Sequence, residues 1–201
     1  MRKSIITVPN PILRAKSVAV DLTKNPNLIN KHIANLEETL EKKAHPKGVG
    51  LSLPQIGKNL RIFSTYLPDS SNTSDQGRPD EKEKIQAKLA TYINPEIVEN
   101  SKDRTFGPNS DDPILEGCLS IPGLYGPVPR FSWITLRYTT SQFKEKTEKF
   151  AGFFARVIQH ELDHLDGVLF IDYVLKYELP FFESRKGKMI EIDRNIIRAL
   201  G

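Results

Sequence analysis

Two stretches of the chain carry apolar residues at the three- and four-residue spacing of an amphipathic helix. In residues 28–43 the apolar positions alternate with charged ones, and Pro46 and Gly48 follow as helix-ending residues. These apolar positions are Leu28, Ile29, Ile33, Leu36 and Leu40. In residues 150–167 the apolar side chains share a face with two histidines, and Gly167 ends the pattern. The second stretch therefore predicts a largely buried helix whose histidines point inward.

Stretches rich in β-branched and aromatic residues predict the strands. They are residues 60–67, 89–100, 131–140 and a shorter run near 144–150. Asn94-Pro95 interrupts the second of them, so we expect a bend there. The sequence KMIEI near the C-terminus predicts a further strand, followed by a short helix. Several strands that precede one long buried helix predict an α+β fold.

Length and composition favour one globular domain over residues 1–201, with a polar insertion at 68–88 and a variable C-terminal tail at 176–201. A hydrophobic content of 38% with 27% charged residues excludes a wholly disordered chain. We find neither an apolar run of the roughly 18 residues that span a membrane nor a signal peptide. The net charge of +4 is too small to indicate a nucleic-acid site. A single cysteine without an export signal predicts a reducing compartment, the cytoplasm.

The second predicted helix contains HELDH, an HExxH motif. His160 and His164 are one turn apart on the same face, where their Cβ atoms lie about 5–6 Å from each other and both rings can reach one metal ion. Glu161 projects about 100° away around the helix axis, so its carboxylate can border the metal and accept a proton from water. The motif alone also occurs by chance in helices with two surface histidines. Its apolar flanks favour metal binding, because buried imidazoles need partners.

A catalytic metal usually has a third protein ligand, and the chain offers several candidates. His32 and His45 belong to or follow the charged first helix, and we interpret both as surface residues. A downstream carboxylate such as Asp172 is one alternative. Cys118, in the segment EGCLSIPG, is another, because a thiolate binds Fe²⁺ or Zn²⁺ strongly. Taken alone, however, a lone cysteine is more often a buried inert thiol.

Three segments together resemble the peptide deformylase family. They are GVGLSLPQ at 48–55, EGCLS at 116–120 and QHELDH at 159–164, in the family's order. The N-terminal VPNPILR and the YINPEI stretch are also similar to the family, and the resemblance covers residues from about 5 to 175. It implies antiparallel strands packed around a central helix that carries the HExxH motif.

The resemblance also implies the reaction and the metal. It predicts that Cys118, His160 and His164 bind one divalent ion, Fe²⁺ in the cell with Zn²⁺ or Ni²⁺ as alternatives. Glu161 is then the general base and afterwards the general acid. The implied substrate is the N-formyl-methionyl end of a nascent peptide, and the products are formate and a free amine. Some relatives bind the ribosome through a basic C-terminal helix; the tail here does not match it clearly, so ribosome association is a hypothesis.

Further roles follow from the same resemblance. The Gln55 side-chain amide and the Leu119 backbone N–H are implied as the oxyanion hole, and Gly50 as a hydrogen-bonding partner of the substrate backbone. Glu116 is expected to orient its segment by hydrogen bonding. We also expect an apolar pocket for the methionine side chain beside the metal; plain core packing is the alternative for its residues. The pocket candidates are Val49, Phe153, Val157 and Ile114.

The sequence departs from the family at two places. Ser52-Leu53 stands where the family usually has small alanines, which predicts a shifted loop or a narrower site. Leu124-Tyr125 stands where many members have an arginine that contacts the substrate backbone, which predicts a different substrate affinity or sequence preference. Two other functions remain open at this point: another HExxH metallohydrolase, such as a peptidase with an acidic third ligand, and a non-enzymatic metal-stabilised or ribosome-binding protein.

Overall fold

A computed structural model describes residues 2–68, 87–109 and 112–200. Most of the polar insertion predicted at 68–88 lies outside the described residues. The α-helices are α1 (Pro26–Glu41), α2 (Gly152–Leu165) and α3 (Phe170–Lys176). The strands are β1 (Gly50–Ser52), β2 (Ile62–Leu67), β3 (Lys88–Asn100), β4 (Arg104–Thr105), β5 (Leu115–Cys118), β6 (Ile121–Pro127), β7 (Arg130–Phe131), β8 (Trp133–Thr139), β9 (Glu145–Ala151), β10 (Phe181–Arg185) and β11 (Lys188–Ile192). Every pairing between these strands is antiparallel, which confirms the predicted α+β class.

The larger sheet has five strands in the order β1-β2-β3-β8-β9. It contains the four strands that the sequence predicted, each within about two residues of the expected bounds. The predicted bend in β3 is present: the register with β8 shifts between Ile93 and Glu96, and Asn94 has a left-handed φ of 50°. The Asn94 side chain holds this bend by exchanging two hydrogen bonds of 2.8 Å with the backbone of Val20.

Helix α1 packs its apolar face against the β1–β2 end of the larger sheet. Four of its five predicted apolar positions are buried there, namely Ile29, Ile33, Leu36 and Leu40. The fifth, Leu28, is 45% exposed. The reason is position: Leu28 lies in the first turn, and the Asn25 side chain accepts a hydrogen bond from its backbone N–H at the helix cap.

Helix α2 lies between the larger sheet and strand β5, so it is buried on both sides. Toward the larger sheet it presents Ala155, Ile158, Leu162 and Leu165, which join the aromatic and aliphatic side chains of β2, β3, β8 and β9. Toward β5 it presents polar side chains that carry the HExxH motif. The helix ends at Leu165, and Gly167 beyond it has a φ of +74°. A Cβ at Gly167 would lie 2.4 Å from the carbonyl oxygen of Arg14, so only glycine fits at this stop.

The smaller sheet has the order β11-β10-β6-β5 and includes the C-terminal tail. Strand β11 is the predicted KMIEI strand, and the short helix expected after it is a 3-10 helix at Arg194–Ala199. The sequence did not indicate β5, β6, β10 or α3. In the described part of the chain, no helix is long and apolar enough to cross a membrane.

Candidate metal and active site

The end of β5 and one face of α2 bring three metal-ligating side chains together. Cys118 is the last residue of β5, while His160 and His164 are one turn apart on α2. Their ligand atoms all lie within 4.8 Å of one another, and Cys118 Sγ is 3.1 Å from His164 Nε2. Although burial alone would raise the pKa of the Cys118 thiol, the charges and hydrogen bonds of the two imidazoles hold it well below its ordinary value. The cluster therefore favours the thiolate form, which is the form that binds metals.

A buried carboxylate contacts one of the two ring nitrogens of His160. His160 Nδ1 lies 3.0 Å from Oε2 of Glu116, which is buried in β5. Glu116 also accepts two hydrogen bonds from Arg130, at 2.8 and 2.9 Å, and one of 2.8 Å from Arg156. Burial by itself would raise the pKa of the Glu116 carboxyl, but Arg130 and His160 together lower it below its ordinary value. An ionised Glu116 fixes the ring of His160 and leaves its Nε2 for a metal.

The two arginines connect this carboxylate to the rest of the fold. Arg130 is 2% exposed and also donates to Asp163, which α2 carries one residue before His164. Arg156, on α2, donates at 2.7 Å to the carbonyl of Val128. Sequence reasoning missed both arginines. One signal was available, because Arg156 interrupts the apolar pattern four residues before the first histidine.

Glu161 is 3% exposed and points into the site without a full set of partners. Its Oε2 accepts no hydrogen bond from any described residue, and the same holds for Nδ1 of His164. Burial raises the pKa of Glu161 to about 7. A carboxylate in this state can exchange a proton with a bound reactant near neutral pH.

Strand β1 approaches Glu161 so closely that it needs a glycine. A Cβ at Gly50 would lie 2.3 Å from Oε1 of Glu161. Gly50 pairs with Thr65 of β2, and it is buried. The absence of a side chain at Gly50 is therefore what allows the Glu161 carboxylate to occupy its position.

The Gln55 side chain is held from both ends beside the cluster. Its Oε1 accepts hydrogen bonds from the backbone N–H of Ser52, at 2.8 Å, and from the Ser52 hydroxyl, at 3.0 Å. Its Nε2 donates to Ser120 Oγ at 3.1 Å and lies 3.5 Å from Cys118 Sγ. The serine that departs from the family pattern thus fixes the amide with its N–H₂ group toward the site.

Leu119 and Ser120 form the turn between β5 and β6. Cys118 pairs with Ile121 across this turn, and the Ser120 N–H is 3.4 Å from Cys118 Sγ. Among the backbone hydrogen bonds of the described residues, none uses the N–H of Leu119. This donor sits directly next to a ligand and has no competing backbone partner.

The cluster opens into a cleft with a volume of about 430 Å³. All four pocket candidates line it, namely Val49, Ile114, Phe153 and Val157. Gln55, Leu119 and Gly50 line it as well, so the structure brings the residues of the three sequence motifs and the four pocket candidates together in one site.

The alternative ligand and the remaining histidines lie elsewhere. Asp172 Oδ2 accepts from Arg14 at 2.6 Å and from the backbone of Leu169 at 2.8 Å, and it is not part of the ligand cluster. His45 is exposed, as predicted. His32 is partly buried, so the prediction that it is a surface residue was only partly correct.

The donors present fit a divalent transition metal. One thiolate and two imidazoles are soft and borderline ligands that suit Fe²⁺, Zn²⁺ or Ni²⁺ rather than Mg²⁺ or Ca²⁺. The carboxylate on the outer nitrogen of His160 is the usual partner of a metal-ligating histidine. The unpartnered Glu161 oxygen faces the same site.

Comparison with known proteins shows which family this chain is similar to. The family model for polypeptide deformylase matches residues 2–179, which is most of the chain. The chain belongs to the peptide deformylase family. Deformylases are metal-dependent hydrolases that act on formylated nascent peptides, and the resemblance of the three motifs is thereby confirmed.

Individual deformylases are similar over nearly the whole chain. The peptide deformylase of Cytophaga hutchinsonii is 39% identical over 190 residues, covering 94% of this chain and 90% of that protein. That of Pseudothermotoga lettingae is 35% identical over 194 residues, covering 96% and 94%. The crystal structure of the peptide deformylase from Ehrlichia chaffeensis matches with a TM-score of 0.71 at 29% identity, covering 89% of this chain and 90% of that one. The Met-Ala-Ser-bound deformylase from Acinetobacter baumannii matches with a TM-score of 0.68 at 27% identity, covering 86% and 98%.

Proposed function

We propose that this chain hydrolyses the N-formyl group from the N-terminal formyl-methionine of nascent proteins and releases formate. The observation that carries the proposal is the cluster of Cys118, His160 and His164 beside the buried, unpartnered carboxylate of Glu161. These groups lie at the wall of a cleft that can admit a peptide end. Membership of the deformylase family supports the same reaction.

In this proposal the two histidines and the cysteine hold one divalent ion. Fe²⁺ is the expected ion in the cell, with Zn²⁺ or Ni²⁺ as alternatives, because the thiolate favours these metals. When bound, such an ion acts as a Lewis acid that lowers the pKa of water toward neutrality. The contribution of Glu116 is to keep the ring of His160 oriented for that ion.

Glu161 moves the protons of the reaction. Its carboxylate accepts a proton from the water that attacks the formyl carbon, and it then donates that proton to the leaving amine. Burial supports both steps because it raises the pKa of Glu161 to about 7. Near neutral pH the side chain can then both accept and donate a proton. The carboxylate packs so closely against Gly50 that a Cβ at that position would clash with it.

Gln55 and Leu119 stabilise the negative charge that develops on the formyl oxygen. The Gln55 Nε2 is aimed at the cluster by Ser52, and the Leu119 N–H has no backbone partner in the described chain. One preorganised donor of this kind contributes roughly 3–4 kcal/mol to the transition state. Gly50 offers its backbone to the substrate peptide.

The apolar side chains of the cleft bind the methionine. Val49, Phe153, Val157 and Ile114 line the same cleft as the ligand cluster, and none of them carries a charge. Burying the methionine side chain in such a pocket is worth about 1.5–3 kcal/mol.

Three broader features are part of the proposal. Residues 1–201 form one catalytic domain, with the insertion at 68–88 and the tail at 176–201 as additions to it. Nascent chains and the lone reduced thiol both favour the cytoplasm. We also propose that the chain contacts the ribosome, and we assign no surface to that contact.

The test is formate release from formyl-Met-Ala-Ser by protein purified without oxygen and analysed for metal. We expect turnover by the native chain and a loss of at least a hundredfold in Glu161→Gln, which should keep its metal. Peptide-bond cleavage without formate release would instead identify another metallohydrolase. Unchanged turnover in Glu161→Gln would remove this residue from the mechanism.

A further inference from the structure

Residues 5–8, near the N-terminus, hydrogen-bond to two separate parts of the site. The backbone N–H of Ile6 donates to the carbonyl oxygen of Gln55 at 2.8 Å. Two residues further on, the backbone N–H of Val8 donates to the carbonyl oxygen of Ser120 at 3.0 Å. Neither Ile6 nor Val8 belongs to the ligand cluster or lines the cleft, so the proposed mechanism does not account for these two contacts.

The two parts of the site that this segment contacts belong to different apolar clusters. Gln55 lies in a 3-10 helix at Leu53–Ile56, which packs with α1 and the larger sheet. Ser120 lies in the turn before β6, and the first residue of β6 packs with α3 and β10. The segment joins both clusters through its side chains, because Ile5 packs against the first and Val8 against the second. It therefore connects two parts of the fold that meet at the site.

Each of these two parts carries one of the proposed oxyanion donors, Gln55 Nε2 or the Leu119 N–H. They are linked directly, because Gln55 Nε2 donates to Ser120 Oγ at 3.1 Å. Together with the two backbone hydrogen bonds, this contact closes a ring that runs from Ile6 through Gln55 and Ser120 to Val8. The two donating N–H groups are two residues apart, a span of at most about 7 Å. The ring thus limits how far the 3-10 helix and the turn can separate.

We infer that Ile6 and Val8 are positioning residues, whose backbone N–H groups fix Gln55 and Leu119 relative to each other. Two donors stabilise one developing oxyanion only when both lie about 2.7–3.1 Å from it, so their relative placement matters for the reaction. The inference rests on the proposed deformylase function, because it acts through the two donors of that reaction. Since the negative charge develops only in the transition state, a change in the segment should lower kcat and leave KM unchanged.

The test places proline, which has no backbone N–H, at neighbouring positions of the segment. Ile6→Pro removes the hydrogen bond to Gln55, whereas Ile6→Ala shortens the side chain and keeps that bond. Thr7→Pro is the matched control, because Thr7 is exposed and its N–H makes no hydrogen bond within the described residues. We expect kcat for formate release from formyl-Met-Ala to fall about 10- to 100-fold in Ile6→Pro. In Ile6→Ala and Thr7→Pro it should stay near the native value, and all three variants should keep native KM and metal content.

Combining Ile6→Pro with Gln55→Ala distinguishes positioning of the amide from a general loss of stability. Once the Gln55 amide has been removed, Ile6→Pro should have no further effect on kcat, because the group that it positions is gone. A purely structural effect of the proline would lower kcat by the same factor in both backgrounds, and that outcome would overturn the inference. The melting temperature of each variant, measured by circular dichroism, shows that the compared proteins are folded.

A longer connection keeps the inference testable if Ile6→Pro does not fold. One glycine inserted between Thr7 and Val8 preserves both N–H groups but lengthens the chain between them, and it should lower kcat as Ile6→Pro does. One glycine inserted between Lys3 and Ser4, ahead of the segment, is its control and should leave kcat unchanged. Native kcat in the Thr7–Val8 insertion variant, or in folded Ile6→Pro, would overturn the inference and leave the deformylase function intact. Absence of formate release by the native chain would instead overturn the proposed function itself.

Discussion

Glu116 Oε2 lies 3.0 Å from Nδ1 of His160, so a carboxylate from the smaller sheet holds an imidazole from helix α2. The same carboxylate is clamped by Arg130 and Arg156, and all of these side chains except part of His160 are buried. A buried ion cluster contributes little net stability compared with an apolar core. What it does here is fix the position of β5 relative to α2, the two elements that supply the three ligands.

Glu116→Gln should therefore weaken metal binding although it leaves all three metal ligands in place. We expect a loss of about 10–100-fold in metal affinity, as for other groups that orient a ligating histidine. The variant should also lower the melting temperature, because two buried guanidinium groups lose a charged partner. Competition with a coloured chelator measures the affinity on protein that circular dichroism shows to be folded.

Glu96→Gln provides the control for that experiment. Glu96 pairs with Arg137 on the exposed face of the larger sheet, where an ion pair is worth about 0–1 kcal/mol. Its metal affinity and melting temperature should equal those of the native chain. A folded Glu116→Gln protein with native metal affinity would show that the His160 ring is oriented without this carboxylate.

The identity of the third ligand gives a second prediction. Cys118→Ala should lose stoichiometric metal, because it leaves only two imidazoles. Asp172→Asn should keep it, since Asp172 pairs with Arg14 and the backbone of Leu169. Metal content is measured by mass spectrometry after anaerobic purification. Full metal occupancy in Cys118→Ala would contradict the assignment and reopen the search for an acidic ligand.

The sequence predicted the parts of this site that depend on residues close together in the chain, and it missed contacts between distant segments. The periodicity of residues 150–167 predicted α2, its burial and the inward direction of both histidines, because a helix repeats every 3.6 residues along the chain. The short motifs predicted which residues meet there. The contact of Glu116 with Arg130 and Arg156 was not readable, since it joins segments 14 and 40 residues apart.

Short, glycine-rich elements were missed for a related reason. Strand β1 has three residues, and β5 and β6 contain Gly117 and Gly123, which are typical of turns. These strands exist because of pairing with partners elsewhere in the chain, so local propensity does not reveal them. The hairpin of β10 and β11 was found only in part, and its place in the cleft wall depends on the pairing of β10 with β6.

The serine at position 52 yields a third prediction. Its hydroxyl donates to Gln55 Oε1 at 3.0 Å in addition to its backbone N–H at 2.8 Å, so Ser52→Ala removes one of the two hydrogen bonds that Gln55 Oε1 accepts from Ser52. We expect kcat to fall about three- to tenfold, with little change in KM, because one neutral hydrogen bond contributes roughly 1 kcal/mol.

A double-mutant cycle separates this role from simple packing. If Ser52 acts through Gln55, Ser52→Ala should have no further effect on kcat in a Gln55→Ala background. Additive losses in kcat would mean that the serine hydroxyl affects the site by another route. Thr23→Ala, which removes an exposed hydroxyl bonded to Asp21, should leave kcat unchanged.

Gly50 provides the sharpest steric prediction. A Cβ at this position would lie 2.3 Å from Oε1 of Glu161, well inside van der Waals contact, so Gly50→Ala must displace the carboxylate. We expect kcat/KM for formyl-Met-Ala to fall by at least a hundredfold, since misplacing a catalytic group by about 1 Å can have an effect of that size. Metal affinity should change little, because the three ligands are untouched. Gly187→Ala, at an open turn with a φ of +78°, should reduce stability by about 1 kcal/mol and preserve turnover of this short substrate. Native activity in Gly50→Ala would mean that β1 yields to the methyl group, and that the position of Glu161 does not depend on the glycine.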